Sequence, residues 1–258
     1  MSVAVHPTAL VDPGAQLGAG TTVGPFAIVG PDVLTGPRCR LDARVTLERY
    51  VRLGSDVHVG SGSILGGMPQ DLKFKGEETW VEIGDGTTLR EYCTVNRGTS
   101  ATGRTVVGSE CFLMSYVHIA HDCQLEDKVV IANGSQIAGH VTIHDHASLS
   151  GLVAVHQFVT IGSYSFVGGC TRVNQDIPPY VKAAGNPMEL FGLNSIGLQR
   201  NGFSPETIGL LKRCYRLFFN SDLNLSQALE RARLDLPEAP EVDRFIRFVE
   251  SSGRGVPA

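Results

Sequence analysis

The chain has 258 residues, of which 42% are hydrophobic and 7% aromatic, and a formal charge of −4. That length suits one large domain plus a small one, and the acidic balance argues against a general attraction to nucleic acid or an anionic membrane. No apolar run reaches membrane-spanning length and the N-terminus does not read as a signal, so a soluble, cytoplasmic protein is expected.

From Val5 onward the chain keeps a beat of six. Val5, Val11, Leu17, Val23 and Val29 open it, and Leu41, Leu47, Leu53, Val59 and Leu65 continue it. It returns in phase at Ile83, Leu89 and Val95, then runs unbroken from Val107 to Val173. Of these 26 positions, 25 are Val, Ile or Leu and one is Thr35, so chance periodicity is not an explanation. A period of six is neither helical nor a plain strand alternation. It describes a chain that turns a corner every sextet, three sextets making one triangular coil of 18, the hexapeptide parallel β-helix. The slot four residues on holds small or β-branched side chains such as Ala27, Cys39, Val57, Ser135 and Val153, which fit beside the aliphatic in a narrow prism. The slot directly after the aliphatic is often glycine, including Gly18, Gly24, Gly60, Gly108 and Gly162, a residue that tolerates the positive φ of a tight corner. Coils stacked at the strand spacing of roughly 4.8 Å make residues 18 apart into neighbours.

The beat breaks twice, giving loops near 67–80 and 97–106. Loops on a rigid scaffold commonly carry binding groups, although an idle insertion is an open reading for each. After Val173 the pattern changes, and Asp176-Ile177-Pro178-Pro179-Tyr180 reads as the end of the prism. Ser204-Pro205 reads as an N-cap and first helical residue, and Ile208, Leu211, Tyr215 and Phe218 predict an amphipathic helix over 205–219. Ala228, Leu229 and Ala232 suggest a second helix, and Val242, Phe245, Ile246 and Val249 a third. The expected division is a β-helical domain over 1–185 and a helical domain over 186–258 that caps one end of the prism.

Four of the six cysteines, Cys39, Cys93, Cys111 and Cys123, fall in the small inward slot and none is in a CxxC pair, so they read as packing residues of a reducing compartment. Histidine is more informative. Six of eight lie between 118 and 156: His118, His121, His140, His144, His146 and His156. The coil lattice sets residue 139 over 121 and 140 over 122, so His121, Asp122, Gly139 and His140 should form one patch. A base, a neighbouring carboxylate and a backbone N–H at a glycine are the parts of an acyl-transfer site. Two other readings stay open: His118, His121 and His140 as a zinc set, and histidines that merely occupy corners. No P-loop, dinucleotide fingerprint or Ser/Cys nucleophile motif is present, which favours direct transfer. Lys212, Arg213 and Arg216, with Arg200 upstream, make a local basic face on an acidic chain.

Several strings are more specific than the repeat. They are Gly67-Met68-Pro69-Gln70-Asp71-Leu72-Lys73, Asn96-Arg97-Gly98-Thr99, His118-Ile119-Ala120-His121-Asp122-Cys123, Ala138-Gly139-His140, Val155-His156-Gln157-Phe158 and Val167-Gly168-Gly169-Cys170. Over essentially its full length the chain resembles the UDP-N-acetylglucosamine O-acyltransferases of lipid A synthesis. The resemblance implies an all-β left-handed parallel β-helix with a C-terminal α-helical domain, assembled as a homotrimer with sites between neighbouring prisms. It implies transfer of an (R)-3-hydroxyacyl chain from acyl carrier protein to the sugar 3-hydroxyl, with no cofactor or metal. By position, His121 would be the general base, Asp122 its support and the Gly139 N–H the oxyanion donor. Asp71 and His140 would bind the sugar, and Lys73 the phosphates or acyl region. His118, His156 and Gln157 would line the cleft, while Asn194 and Arg200 would hold the nucleotide. Gly169 would set acyl length, and Lys212, Arg213 and Arg216 would face the carrier protein.

Three positions depart from that pattern: Ile196 replaces a carboxylate, Asn201 a second arginine, and Phe166 lies near the chain-length position. The alternatives at this stage are N-acylation of a 3-amino sugar nucleotide, a metal-dependent hydratase and a non-enzymatic scaffold. The related N-acyltransferase carries an extra N-terminal domain, for which a first sextet at Val5 leaves no room.

Overall fold

The structure, a computed structural model, describes residues 2–257. Short strands, mostly of two residues, follow one another around a triangular section and stack into three sheets of eleven, nine and seven strands, parallel except for the last strand of the first. The winding is that of a left-handed parallel β-helix. Register follows the sequence period: Val5 pairs with Val23, Val11 with Val29, and Ile119 with Ile137, each 18 apart. The two insertions widen the offset to 30 between Ile64 and Thr94 and to 24 between Thr94 and His118, after which the ladder resumes in phase.

The frame aliphatics from Val23 to Val173 fill the prism axis, with Leu41, Leu47, Leu65, Ile131 and Ile143 among the fully buried. Burying such side chains, at about 1.5–3 kcal/mol each, is the main stabilising contribution. The inward cysteines behave as small core residues. Their thiols face backbone carbonyls, as Cys123 Sγ does that of Ala138 at 3.0 Å. Burial pushes the Cys93 and Cys111 thiols up to about 11 and that of Cys123 to about 12, so none is a thiolate at neutral pH.

Three sequence expectations change. Val5 was expected inside but is 45% exposed, because the first coil has nothing stacked beneath it. Gly66 apart, the glycines after the aliphatics do not supply positive φ. A Cβ at Gly18, Gly108 or Gly162 would lie 2.3–2.6 Å from backbone atoms of the next coil, so close stacking selects them. The left-handed corner falls two residues later and is filled mostly by other residues, Phe26, Tyr92, Tyr116, Asp122, His140 and Phe158 among them. Nor does Asp176–Tyr180 end the ladder. Ile177 bridges Ile161, and strand Val181–Ala184 pairs in parallel with Phe166–Val167 before Glu189–Leu193 returns antiparallel beside it.

Four helices follow: α1 (Ser195–Arg200), α2 (Pro205–Phe219), α3 (Leu225–Asp235) and α4 (Pro240–Ser251). The Ser204 hydroxyl accepts from Thr207 N–H, capping α2 as its sequence predicts. The buried faces of α2, α3 and α4 meet around Phe218 and Phe245. Buried Asp176 ties the tail to the last coils, accepting from the Thr160 N–H at 2.7 Å, the Ser252 hydroxyl at 2.7 Å and the Arg254 N–H at 3.2 Å. No helix among the described residues is long and apolar enough to cross a membrane.

Candidate active site

One edge of the prism gathers the candidate catalytic residues. His121 and Asp122 occupy adjacent corner positions in one coil, and Gly139 and His140 occupy the same positions in the next. His121 Nδ1 lies 2.8 Å from Asp122 Oδ2. An ionised carboxylate has no proton to give, so Nδ1 carries the hydrogen and donates it, leaving Nε2 with a free lone pair. The Asp122 side chain has no exposed surface, while that of His121 retains 14%. Asp122 also accepts from the Thr99 N–H at 2.9 Å, the Thr99 hydroxyl at 2.8 Å and the Thr102 hydroxyl. Burial works to raise its pKa, but the bonds from Thr102, His121 and Thr99 outweigh it and hold the group at about 2.

Gly139 lies against the imidazole. A Cβ there would be 2.7 Å from His121 Cε1 and 2.8 Å from Nε2, so only glycine leaves the ring in place. Its N–H is left over by the lattice. In regular corners the ladder uses the N–H one residue later, as His140 N–H donates to His121 O at 3.1 Å. The Gly139 slot demands no donor, and in earlier coils it holds Pro7, Pro13, Pro25, Pro31 and Pro37, which have none. No acceptor takes the Gly139 N–H among the described residues. Beside the imidazole, then, stands a fixed donor without a partner.

The other histidines of this edge form walls. His140 stacks on Phe158 with centroids 4.5 Å apart and meets the His121 ring edge-on at 5.1 Å. His118 Nδ1 lies 2.7 Å from Thr94 Oγ1, and burial, helped by His121, lowers its pKa, so it is neutral at physiological pH. His156 Nδ1–H donates to Gln157 O at 3.1 Å. His118, His121, Gly139, His156 and Gln157 line an open groove of ≈ 470 Å³. Gln70, at the start of the first insertion, lines it too and was not singled out from the sequence. The side chains of His121, Asp122 and His140 offer ligand atoms within 4.8 Å of one another. Asp122 already accepts four hydrogen bonds, so its oxygens are committed to the protein, and the donor set fits an orienting carboxylate better than a metal ligand.

The remaining candidates lie elsewhere. The Asp71 carboxylate accepts from the Lys73 N–H at 2.9 Å within the first loop, where Leu72 is fully exposed. Asn194 and Arg200 line a separate cavity of ≈ 610 Å³ with Lys128, Lys182 and Ile196. The Asn194 amide is occupied there, donating to Tyr164 O at 3.0 Å and accepting from Gly197 N–H at 3.2 Å as the cap of α1. Gly169 sits at a different corner, above Gly151. Lys212, Arg213 and Arg216 form an exposed face of α2. His144, paired with Glu126 at 2.9 Å, and His146, stacked on Tyr164, are also away from the groove.

A stacked-coil prism presenting an imidazole–carboxylate pair and a free backbone donor is the arrangement of a hexapeptide-repeat acyltransferase, and residues 104–139 match the model of bacterial transferase hexapeptide repeats. Residues 176–257 match the model described as UDP-N-acetylglucosamine O-acyltransferase, domain 2. The acyl-[acyl-carrier-protein]--UDP-N-acetylglucosamine O-acyltransferase of Chlorobium phaeobacteroides is 54% identical over 195 residues, 75% of this chain and 74% of the relative. The crystal structure of the UDP-N-acetylglucosamine acyltransferase of Bacteroides fragilis superposes with a TM-score of 0.97 at 38% identity, covering 98% of this chain and 99% of that one. The Arabidopsis UDP-N-acetylglucosamine acyltransferase superposes at 0.86 with 32% identity, over 98% of this chain and all of the other. The chain belongs to the UDP-N-acetylglucosamine O-acyltransferase family.

Proposed function

We propose that the chain transfers an (R)-3-hydroxyacyl group from acyl carrier protein to the 3-hydroxyl of UDP-N-acetylglucosamine, the first step of lipid A synthesis. The observation that carries the mechanism is the His121–Asp122 pair beside the unused Gly139 N–H. His121 Nε2 takes the proton of the sugar hydroxyl, and Asp122 stabilises the imidazolium through Nδ1–H. The alkoxide oxygen attacks the thioester carbonyl, and the oxyanion accepts from Gly139 N–H. Collapse breaks the C–S bond, and the carrier's thiolate recovers the proton from His121. The base changes role from acceptor to donor without moving, so neither a covalent enzyme intermediate nor a metal is required.

Other groups take supporting roles. His140 and Asp71 bind the sugar, Lys73 the phosphates or acyl region, and His118, His156 and Gln157 line the cleft. Asn194 and Arg200 hold the nucleotide, with Asn194 acting through backbone placement since its amide is engaged. Gly169 limits acyl length, and Lys212, Arg213 and Arg216 receive the acidic carrier protein. The working form is a cytoplasmic homotrimer. An apolar edge supports assembly: Phe26, Tyr92, Tyr116 and Leu152 are each more than half exposed, and Leu10, Ile28 and Ile64 are exposed on the adjoining sheet.

The test is transfer from a panel of 3-hydroxyacyl carrier proteins to UDP-N-acetylglucosamine, with wild type and His121→Ala in parallel. Removing a general base costs roughly 10²–10⁴ in rate. Transfer by wild type alone supports the reading. Transfer only to the 3-amino sugar nucleotide moves it to N-acylation, and an undiminished His121→Ala rate removes the base.

A further inference from the structure

The left-handed corner position is a solvent-facing place in this fold. Phe26, Tyr92, Tyr116, Leu152 and Phe158 occupy it with 52–64% of their surface exposed. Asp122 occupies the same position with φ +60°, yet it is only 6% exposed. The difference comes from the second insertion, which leaves the prism after Asn96 and returns at Arg104 directly over this corner. Its Thr99 and Thr102 supply three of the four donors on the carboxylate. The Asp122 N–H, which in regular corners donates to a backbone carbonyl, donates instead to the Thr105 hydroxyl at 2.9 Å. Inside the insertion, Gly103 N–H donates to Thr99 O at 2.8 Å and Ala101 N–H to the Thr99 hydroxyl at 3.2 Å, which fixes both threonines relative to each other.

We propose that this insertion is a positioning element for the base, in which the Thr99 and Thr102 hydroxyls hold Asp122 and share its charge, and so set both the orientation and the proton affinity of His121. Neither threonine touches the groove. Each acts through Asp122, and the inference rests on His121 being the base of the proposed reaction.

The chemistry fixes the direction of the effect. The Thr102 hydroxyl has one proton and two acceptors in reach, Asp122 Oδ1 and the Arg104 carbonyl. The charged oxygen takes it. Each hydroxyl bond withdraws charge that would otherwise bear on His121 Nδ1–H. Without it the imidazolium is better stabilised, and the His121 pKa rises. The groups facing His121 are Asp122, His118 and His140, and His140 Nε2 stands 3.7 Å from Asp122 Oδ2. Of the cations on the insertion, Arg104 is turned to Glu82 and Arg97 lies over the Tyr50 and Phe74 rings. None of these is altered by a change at Thr102.

The test uses the full chain with labelled histidine side chains, as wild type, Thr102→Val, Thr102→Ser and Thr99→Val. Imidazole titration by NMR should place the His121 midpoint about half a pH unit or more higher in each valine variant, with Thr102→Ser restoring the wild-type value. The acid limb of kcat/KM should move upward equally, and kcat should fall roughly tenfold with KM for the sugar nucleotide unchanged. A purely structural role would lower stability and leave the midpoint alone. Unmoved midpoints in folded Thr102→Val and Thr99→Val overturn the inference, and Thr99→Val, which keeps its backbone donor, serves if Thr102→Val fails to fold. The titration needs no substrate. A moved midpoint in a chain without acyl transfer would therefore sink the proposed reaction and leave the positioning role standing.

Discussion

Replacing Gly139 by alanine puts the sharpest demand on the site. The added Cβ would lie 2.7 Å from His121 Cε1 and 2.8 Å from Nε2, where a carbon contact needs about 3.5 Å or more. The backbone is under no strain, since Gly139 lies outside the left-handed region, and its carbonyl still accepts from Phe158 N–H. The ring is the part that can yield, and it must retreat by about 1 Å. That displacement stretches the 2.8 Å bond to Asp122 and moves Nε2 from its place beside the Gly139 N–H. A misplacement of that size costs on the order of 100-fold in rate, or about 2.7 kcal/mol of barrier. The expected result is a kcat about 100-fold below wild type at saturating acyl carrier protein and sugar nucleotide, with a melting temperature within a few degrees of wild type. A Gly139→Ala enzyme within threefold of wild-type kcat would refute the account, because a displaced base could not sustain it.

Asp122→Asn tests the charge that the insertion buries. The folded pKa of about 2 is below the unfolded value of roughly 3.9, so the group contributes stability above pH 4 that is lost as pH falls toward 2. Thermal melts from pH 5 to 2.5 should fall less steeply for the variant than for wild type, and parallel slopes would contradict this. The double change Lys212→Glu/Arg216→Glu should raise KM for acyl carrier protein about tenfold or more, chiefly at low salt, and leave that for the sugar nucleotide alone. Weakened sugar binding instead would move the basic face into the nucleotide site. Mixing His121→Ala with Arg200→Ala chains after joint refolding should restore about one quarter of wild-type turnover if each site draws on two copies. No recovery would confine the site to one chain.

Much of this was readable before any coordinates. A strict sextet with an offset of 18 is a lattice, so it states which corners are neighbours. His121 beside Gly139 and Asp122 beside His140 follow from it directly. Residue type is less informative about why a position is occupied. The glycines after the frame aliphatics suggest left-handed turns, but Gly18 and Gly108 answer to the backbone of the next coil, a contact no single coil reveals. The ends are less legible still. Val5 obeys the frame yet faces solvent, and neither the hairpin Val181–Leu193 nor α1 has the length or periodicity to register. The role of the second insertion could not be read because Thr99 and Thr102 are 23 and 20 residues from Asp122 and follow no repeat. Asn194 has a similar limit: as an N-cap its amide is used locally, which a motif match cannot distinguish from a ligand contact.

The geometry of the prism also explains why the candidate catalytic edge looks incomplete by itself. A triangular section is convex, so its three edges point away from each other and side chains on different edges of one chain cannot converge. The groove beside His121 is accordingly shallow, walled by His118 and His156 and open on its far side. The first loop reaches out with Leu72 fully exposed, and the cavity of Asn194, Arg200, Lys128 and Lys182 lies along another face with apolar Phe166 and Ile196 beside its cations. A substrate pair that joins a long acyl chain, a sugar and a diphosphate needs an apolar wall, a base and cations within one cleft. Within one chain these lie on separate edges, and in the proposed homotrimer a second prism laid against the first would bring them together. The exposed apolar ladder from Phe26 to Leu152 offers a surface for that proposed contact, which would tie assembly and catalysis to the same convex shape.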